Sequence, residues 1–110
     1  MIDKTKARLF ERQAKIAKAV AHPLRIAVID FLQDGEKCVC ELRELVGSDM
    51  STVSKHLAVL RDAGIVEDRR DGQNIYYRLR VPCILRFFDC VEAVMREDVR
   101  TRGSLGSARR

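Results

Sequence analysis

A chain of 110 residues with a formal net charge of +5 and a pI near 9.3 is the size of one domain, and its basic balance favours an anionic partner, nucleic acid foremost. No apolar run approaches the roughly 18 residues a bilayer span needs. The early basic residues Lys4, Lys6 and Arg8 are not followed by the apolar stretch of a secretory signal. A cytoplasmic location follows as the expectation, and there four cysteines point to metal binding, redox chemistry or simple burial rather than to a disulfide framework.

Residues 5–21 are predicted to form a helix with Leu9, Ile16, Ala17 and Val20 on one stripe. His22-Pro23 interrupts it, because a residue before proline is pushed out of the α region, and Pro23 suits the first turn of a second helix over about 23–33. That helix, with Leu24, Ile26, Ala27, Val28, Ile29, Phe31 and Leu32, is apolar almost all round and reads as the central core helix. A third, short helix over about 39–46 is expected to bury Leu42, Leu45 and Val46 and to stop at Gly47. Asp49 is a good N-cap for a fourth, about 50–63, with Val53, Leu57 and Leu60 inward and Gly64 closing it. Two short helices joined by a glycine-containing turn match a helix-turn-helix.

The period then changes from helix to strand. Segments 65–70 and 74–80 flank Asp71-Gly72, a strong hairpin turn pair, and Ile75, Tyr77 and Leu79 share one face of the second strand. A hairpin directly after the recognition helix is a wing. A last helix, about 82–97, carries Ile84, Phe87, Phe88, Val91, Val94 and Met95 at helical spacing. So rich a stripe needs a cover, and a homodimer interface shared with the first helix is the expected one. The reading is therefore a mainly α, homodimeric winged helix-turn-helix domain over residues 1–97, followed by a disordered basic tail over 98–110 whose Gly/Ser/Arg composition is plainest from Thr101 onward.

Five segments in this order and spacing resemble the ArsR/SmtB family of metal-responsive repressors. They are Ala21-His22-Pro23-Leu24-Arg25; Cys38-Val39-Cys40-Glu41-Leu42; Ser54-Lys55-His56-Leu57; Leu60-Arg61-Asp62-Ala63-Gly64; and Arg69-Arg70-Asp71-Gly72 leading to Tyr76-Tyr77-Arg78-Leu79. The likeness covers about residues 15–95, and Cys-Val-Cys at the head of the third helix points to the arsenic/antimony and cadmium/lead branches. The resemblance implies a dimeric repressor that binds operator DNA without a cofactor and lets go when metal or metalloid binds. The chain departs from the arsenic pattern at Arg43, where a third cysteine often stands, and from the cadmium/lead pattern in having no cysteine before Cys38. Its last helix offers Asp89 and Glu92 but no histidine, so a zinc or nickel site there looks empty.

Soft trivalent arsenic or antimony seeks thiolates, and Cys38 and Cys40 are the candidate ligands. Lys37 and the helix N-terminus favour the thiolate form. Residues i and i+2 of an intact helix point about 200° apart. One ion can therefore hold both sulfurs only if the first turn unwinds or if Cys38 lies before the helix in extended backbone. Unwinding would disturb the recognition helix behind it. A third ligand could come from Cys83 or Cys90, from a small thiol, or not be needed; those two cysteines share a helix face with Phe87 and Val94 and also fit interface packing.

For DNA, the N-terminal part of the recognition helix offers Ser51, Thr52, Ser54, Lys55 and His56, and the wing offers Arg69, Arg70, Gln73 and Asn74. His56 also fits a buried, satisfied histidine. The expected target is an imperfect inverted repeat with half-sites about one helical turn apart or a multiple. The alternative inputs are cadmium or lead, or oxidation of the same thiols. An i,i+2 disulfide is expected to be strained, and helical positions seven apart lie about 10 Å apart along the axis, so disulfides within one subunit are disfavoured. No nucleophile–base set, phosphate loop or carboxylate cluster points to an enzyme.

Overall fold

The computed structural model describes the backbone of residues 1–104 and the side chains of residues 1–97. Five helices and three strands follow in the order α1 (Lys4–Val20), α2 (Pro23–Phe31), β1 (Lys37–Cys38), α3 (Val39–Val46), α4 (Met50–Asp62), β2 (Val66–Asp71), β3 (Asn74–Leu79) and α5 (Ile84–Ser104). The helices begin where capping chemistry dictates. Asp3 accepts from the Lys6 N–H at 2.8 Å to start α1, and the His22 imidazole accepts from the Leu24 N–H at 3.1 Å ahead of Pro23 to start α2. Gly47 closes α3 at φ 77°, a left-handed conformation that only glycine adopts without cost.

The core gathers Val28, Ile29 and Leu32 from α2 and its C-cap, Leu42 from α3, and Val53, Leu57 and Leu60 from α4. Ile65, Val66 and Tyr77 close it from the sheet side. Each such large aliphatic side chain contributes roughly 1.5–3 kcal/mol on leaving water. The helix-turn-helix is thus clamped between the central helix α2 and the sheet. As expected, Ile75 and Leu79 pack against the core beside Tyr77.

Several expectations are corrected. Leu45 is exposed rather than buried: on an eight-residue helix only one narrow stripe reaches the core, and Leu42 holds it. On α1 only Ala19 and Val20 are buried, while Leu9 and Ile16 stay exposed, because the helix meets the rest of the protomer at its C-terminal end alone. The sheet has three strands, in the order β1-β3-β2, all antiparallel. The two-residue β1 is too short for alternation to mark it in the sequence. The last helix runs past residue 97 to Ser104, so its backbone occupies part of the segment expected to be a disordered tail; residues 105–110 lie outside the described residues. No helix among the described residues is long and apolar enough to cross a membrane.

Candidate functional site

Cys38 is the last residue of β1 and the N-cap of α3, in extended backbone at φ −77° and ψ 160°. Of the two ways the angular conflict could be resolved, the fold takes the second: only Cys40 is helical, and α3 is fully wound from Val39 onward. The two Cα atoms stand 5.3 Å apart and the sulfurs are joined in a disulfide. This corrects the expectation that a disulfide within one subunit is disfavoured at this spacing. The placement of Cys38 in the strand and Cys40 in the helix sets the two sulfurs facing each other at this spacing. It also removes the need for α3 to unwind before both sulfurs can meet one ion.

The Cys38 sulfur has a second task. It accepts from the Glu41 N–H at 3.3 Å, while the Glu41 carboxylate accepts from the Cys38 N–H at 3.0 Å, a reciprocal capping box with sulfur in the place of a hydroxyl. Cys38 is 7% exposed, whereas Cys40 is open to solvent. Among the described residues no group of three His, Cys, Asp or Glu side chains is placed to hold a metal ion. Cys83 and Cys90 are free and exposed, Cys83 in the turn ahead of α5, and within one protomer they are not grouped with the pair.

The recognition helix α4 starts at Asp49, whose carboxylate accepts from the Thr52 N–H at 2.7 Å. That hydrogen bond also holds the Asp49 carboxyl below the usual range. Ser51, Ser54 and Lys55 are exposed on this helix and Thr52 is half-buried. His56 is not with them. Its ring is buried, lies 4.3 Å from that of His22 between centroids, and its Nδ1 accepts from Arg25 Nε at 3.1 Å. The same guanidinium donates to the Ala19 carbonyl at 3.0 Å, joining the end of α1, the start of α2 and the middle of α4. His56 is therefore removed from the candidate DNA surface. Burial, with the nearby charges of His22, Arg25 and Lys55, pushes its pKa down, so it stands there as a neutral acceptor. Its spacing with Val53, Leu57 and Leu60, at i, i+3, i+4 and i+7, is the signal that it belongs to the inward face.

On the wing, Arg70, Gln73 and Asn74 are exposed around Gly72, which turns the hairpin at φ 64°. Arg69 is engaged: its Nε and one terminal nitrogen donate to the Glu36 carboxylate at 2.9 and 2.7 Å, and its guanidinium lies 4.7 Å over the Tyr76 ring. Arg78 pairs with Glu67 across the hairpin, its Nε at 2.6 Å. Of the expected interface residues, Phe87, Val91 and Val94 are exposed along α5, as is Met95. Ile84 and Phe88 are instead partly buried, packed against the core of their own protomer.

Residues 22–68, from the cap of α2 through the cysteine pair and α4 into the wing, match the model of bacterial regulatory proteins of the arsR family. The chain belongs to that family. Among its relatives, the HTH-type transcriptional regulator Rv0324 of Mycobacterium tuberculosis is 35% identical over 92 residues, 84% of this chain and 41% of that protein. The arsenic resistance transcriptional regulator ArsR1 of Pseudomonas putida is 53% identical over 47 residues, 43% of this chain and 37% of that protein. The chain thus spans less than half the length of these two relatives. Its fold is similar to the homodimeric winged helix-turn-helix DNA-binding domain of Mb0332 from Mycobacterium bovis, a possible ArsR-family regulator, with a TM-score of 0.77, 32% identity and coverage of 91% and 93% of the two chains. The transcriptional repressor BigR from Xylella fastidiosa matches with a TM-score of 0.71, 31% identity and coverage of 86% and 96%. The family members matched are transcriptional regulators, not enzymes, in agreement with a sequence that holds no catalytic constellation.

Proposed function

We propose that the chain is a cytoplasmic transcriptional repressor that grips operator DNA as a homodimer and is released when trivalent arsenic or antimony binds Cys38 and Cys40. The observation that carries the input is the convergence of the Cys38 and Cys40 sulfurs, a thiol pair once their disulfide is reduced, one of them the cap of α3. Arsenous acid condenses with two thiols, forming two arsenic–sulfur bonds and losing two waters. The third position on the ion then keeps a hydroxyl or takes a small thiol, because the described residues of the protomer offer no third ligand beside the pair. Sulfur that has shared a lone pair with arsenic is a poorer acceptor for the Glu41 N–H, so occupation loosens the first turn of α3 and the register of α4 behind it. The homology to ArsR1 supports the metalloid.

DNA recognition is assigned to Ser51, Thr52, Ser54 and Lys55 at the start of α4, in the major groove, with Arg70, Gln73 and Asn74 of the wing on phosphates or the minor groove. The bare stripes, Leu9 and Ile16 on α1 and Phe87, Val91 and Val94 on α5, support the dimer. For near-complete switching, the inducer must favour the released form by about 10⁴-fold.

A second reading has its own support in the disulfide. Peroxide takes two electrons and two protons from the thiol pair, gives two waters, and the Cys38–Cys40 bond becomes the released state.

One titration separates the two. Reduced protein is bound to a duplex that it has itself selected from a random pool, and arsenite, antimonite, cadmium, lead or peroxide is added while binding is followed. Release by arsenite or antimonite, lost in both Cys38→Ser and Cys40→Ser with DNA affinity kept, is the expected result. Release that survives in both variants places the input elsewhere, and release by peroxide alone selects the second reading.

A further inference from the structure

The wing carries two neighbouring arginines in opposite circumstances. Arg70 is exposed and no ion pair or hydrogen bond engages it among the described residues. Arg69 presents both edges of its fork to Glu36 at 2.9 and 2.7 Å, with Asp71 a further 3.8 Å away. This two-pronged geometry is the one a guanidinium uses on a phosphate. Glu36 is not part of the hairpin. It immediately precedes β1, and in the sheet register Cys38 lies opposite Tyr76, which in turn lies opposite Arg69. One row of three strands therefore runs from the capping cysteine to the held arginine, with the Tyr76 ring under the guanidinium.

We infer that Glu36 is an internal stand-in for a DNA phosphate, which occupies Arg69 and so withholds one backbone contact per protomer from the wing. The inference rests on the reading that the wing meets DNA. The pair is built to be exchanged: the side chains are 54% and 30% exposed, and an ion pair so open to water stabilises the fold little. A polyanion can displace it at small cost. Because Glu36 is anchored two residues from Cys38, a change at that cysteine reaches the wing through β1, by a shorter path than the one through α3 and α4.

The test compares wild type, Glu36→Gln, Arg69→Ala and the double variant on a mixed-sequence duplex of about three helical turns, ~30 base pairs. Phosphate contacts do not depend on sequence. All four proteins are kept in the disulfide form, in which the pair is observed. Glu36→Gln should bind on the order of tenfold more tightly at low salt. The slope of log affinity against log salt should steepen by about 0.9 per protomer, the signature of one added phosphate. In the Arg69→Ala background the same glutamine should give no gain. Unchanged or weaker binding by Glu36→Gln overturns the inference, because Glu36 would then be positioning Arg69 for DNA instead of withholding it. A gain that persists without Arg69 overturns it too, as a mere effect of net charge. If none of the four binds, the inference falls; the DNA-binding reading is judged on the reduced protein and stands or falls separately.

Discussion

The two helices of the helix-turn-helix begin in the same way and with different atoms. At α4, Asp49 offers a carboxylate oxygen 2.7 Å from the Thr52 N–H; at α3, Cys38 offers a sulfur 3.3 Å from the Glu41 N–H. Oxygen in a carboxylate is a strong acceptor whose chemistry is fixed at neutral pH. Sulfur is a weak acceptor that a metalloid can also engage, although in the disulfide the Cys38 sulfur keeps its cap. The difference teaches where adjustment is permitted. The helix assigned to DNA has a permanent cap, and the one assigned to sensing has a conditional one.

The sharpest way to break that division is to attack α4 alone. Lys55→Ala should weaken binding of the selected duplex on the order of tenfold at physiological salt, by loss of a cation at the groove, while the arsenite concentration needed for release of what remains is unchanged. Affinity equal to wild type in an anisotropy titration would take Lys55 off the DNA surface. A smaller effect belongs to the conditional cap. Under reducing conditions Cys38→Ala should lower stability by about 1 kcal/mol, the usual cost of losing an N-cap. Cys38→Ser, which supplies a better acceptor, should be at least as stable as wild type; urea unfolding reads both. If alanine and serine behave alike, the sulfur is not capping α3.

The smallest effect sharpens the contrast from inside α4. Burial lowers the His56 pKa, so the folded chain refuses a proton that the unfolded chain accepts. Stability is then unaffected well above the ordinary histidine value of about 6.5 and declines as pH falls from there towards the lowered folded value. A proton on His56 would also set a second cation against Arg25, whose Nε donates to it at 3.1 Å. His56→Gln, which keeps an acceptor, should make the pH dependence of the thermal midpoint shallower by at most about one proton. An unchanged slope would mean that His56 is not the titrating group.

Much of this molecule was legible before any coordinate. Gly47 and Asp49 punctuate the helix-turn-helix, Asp71-Gly72 turns the wing, and alternation along β3 sends Tyr77 inward; each signal is local, and each held. What escaped was set by distant partners. β1 exists because β3 is there to pair with it, and that pairing is what decides, between the two arrangements open to Cys38, in favour of extended backbone. His56 looks like a groove residue by its polarity while its spacing puts it on the inward face, and Arg25, 31 residues earlier, is the partner that decides between the two. Arg69 and Glu36 meet across 33 residues, with no pattern in the chain announcing it. The candidate site was thus readable in its residue types and unreadable in its angles.

The unequal depth of the two sulfurs imposes an order of events. Any electrophile arriving from solution encounters Cys40 first, since Cys38 is only 7% exposed and Cys40 is open to solvent. The outer residue is the port of entry and the inner one completes the ring from below. A reagent with one reactive valence would halt after the opening encounter; only agents able to form two bonds go on to reach the sheltered sulfur that caps α3.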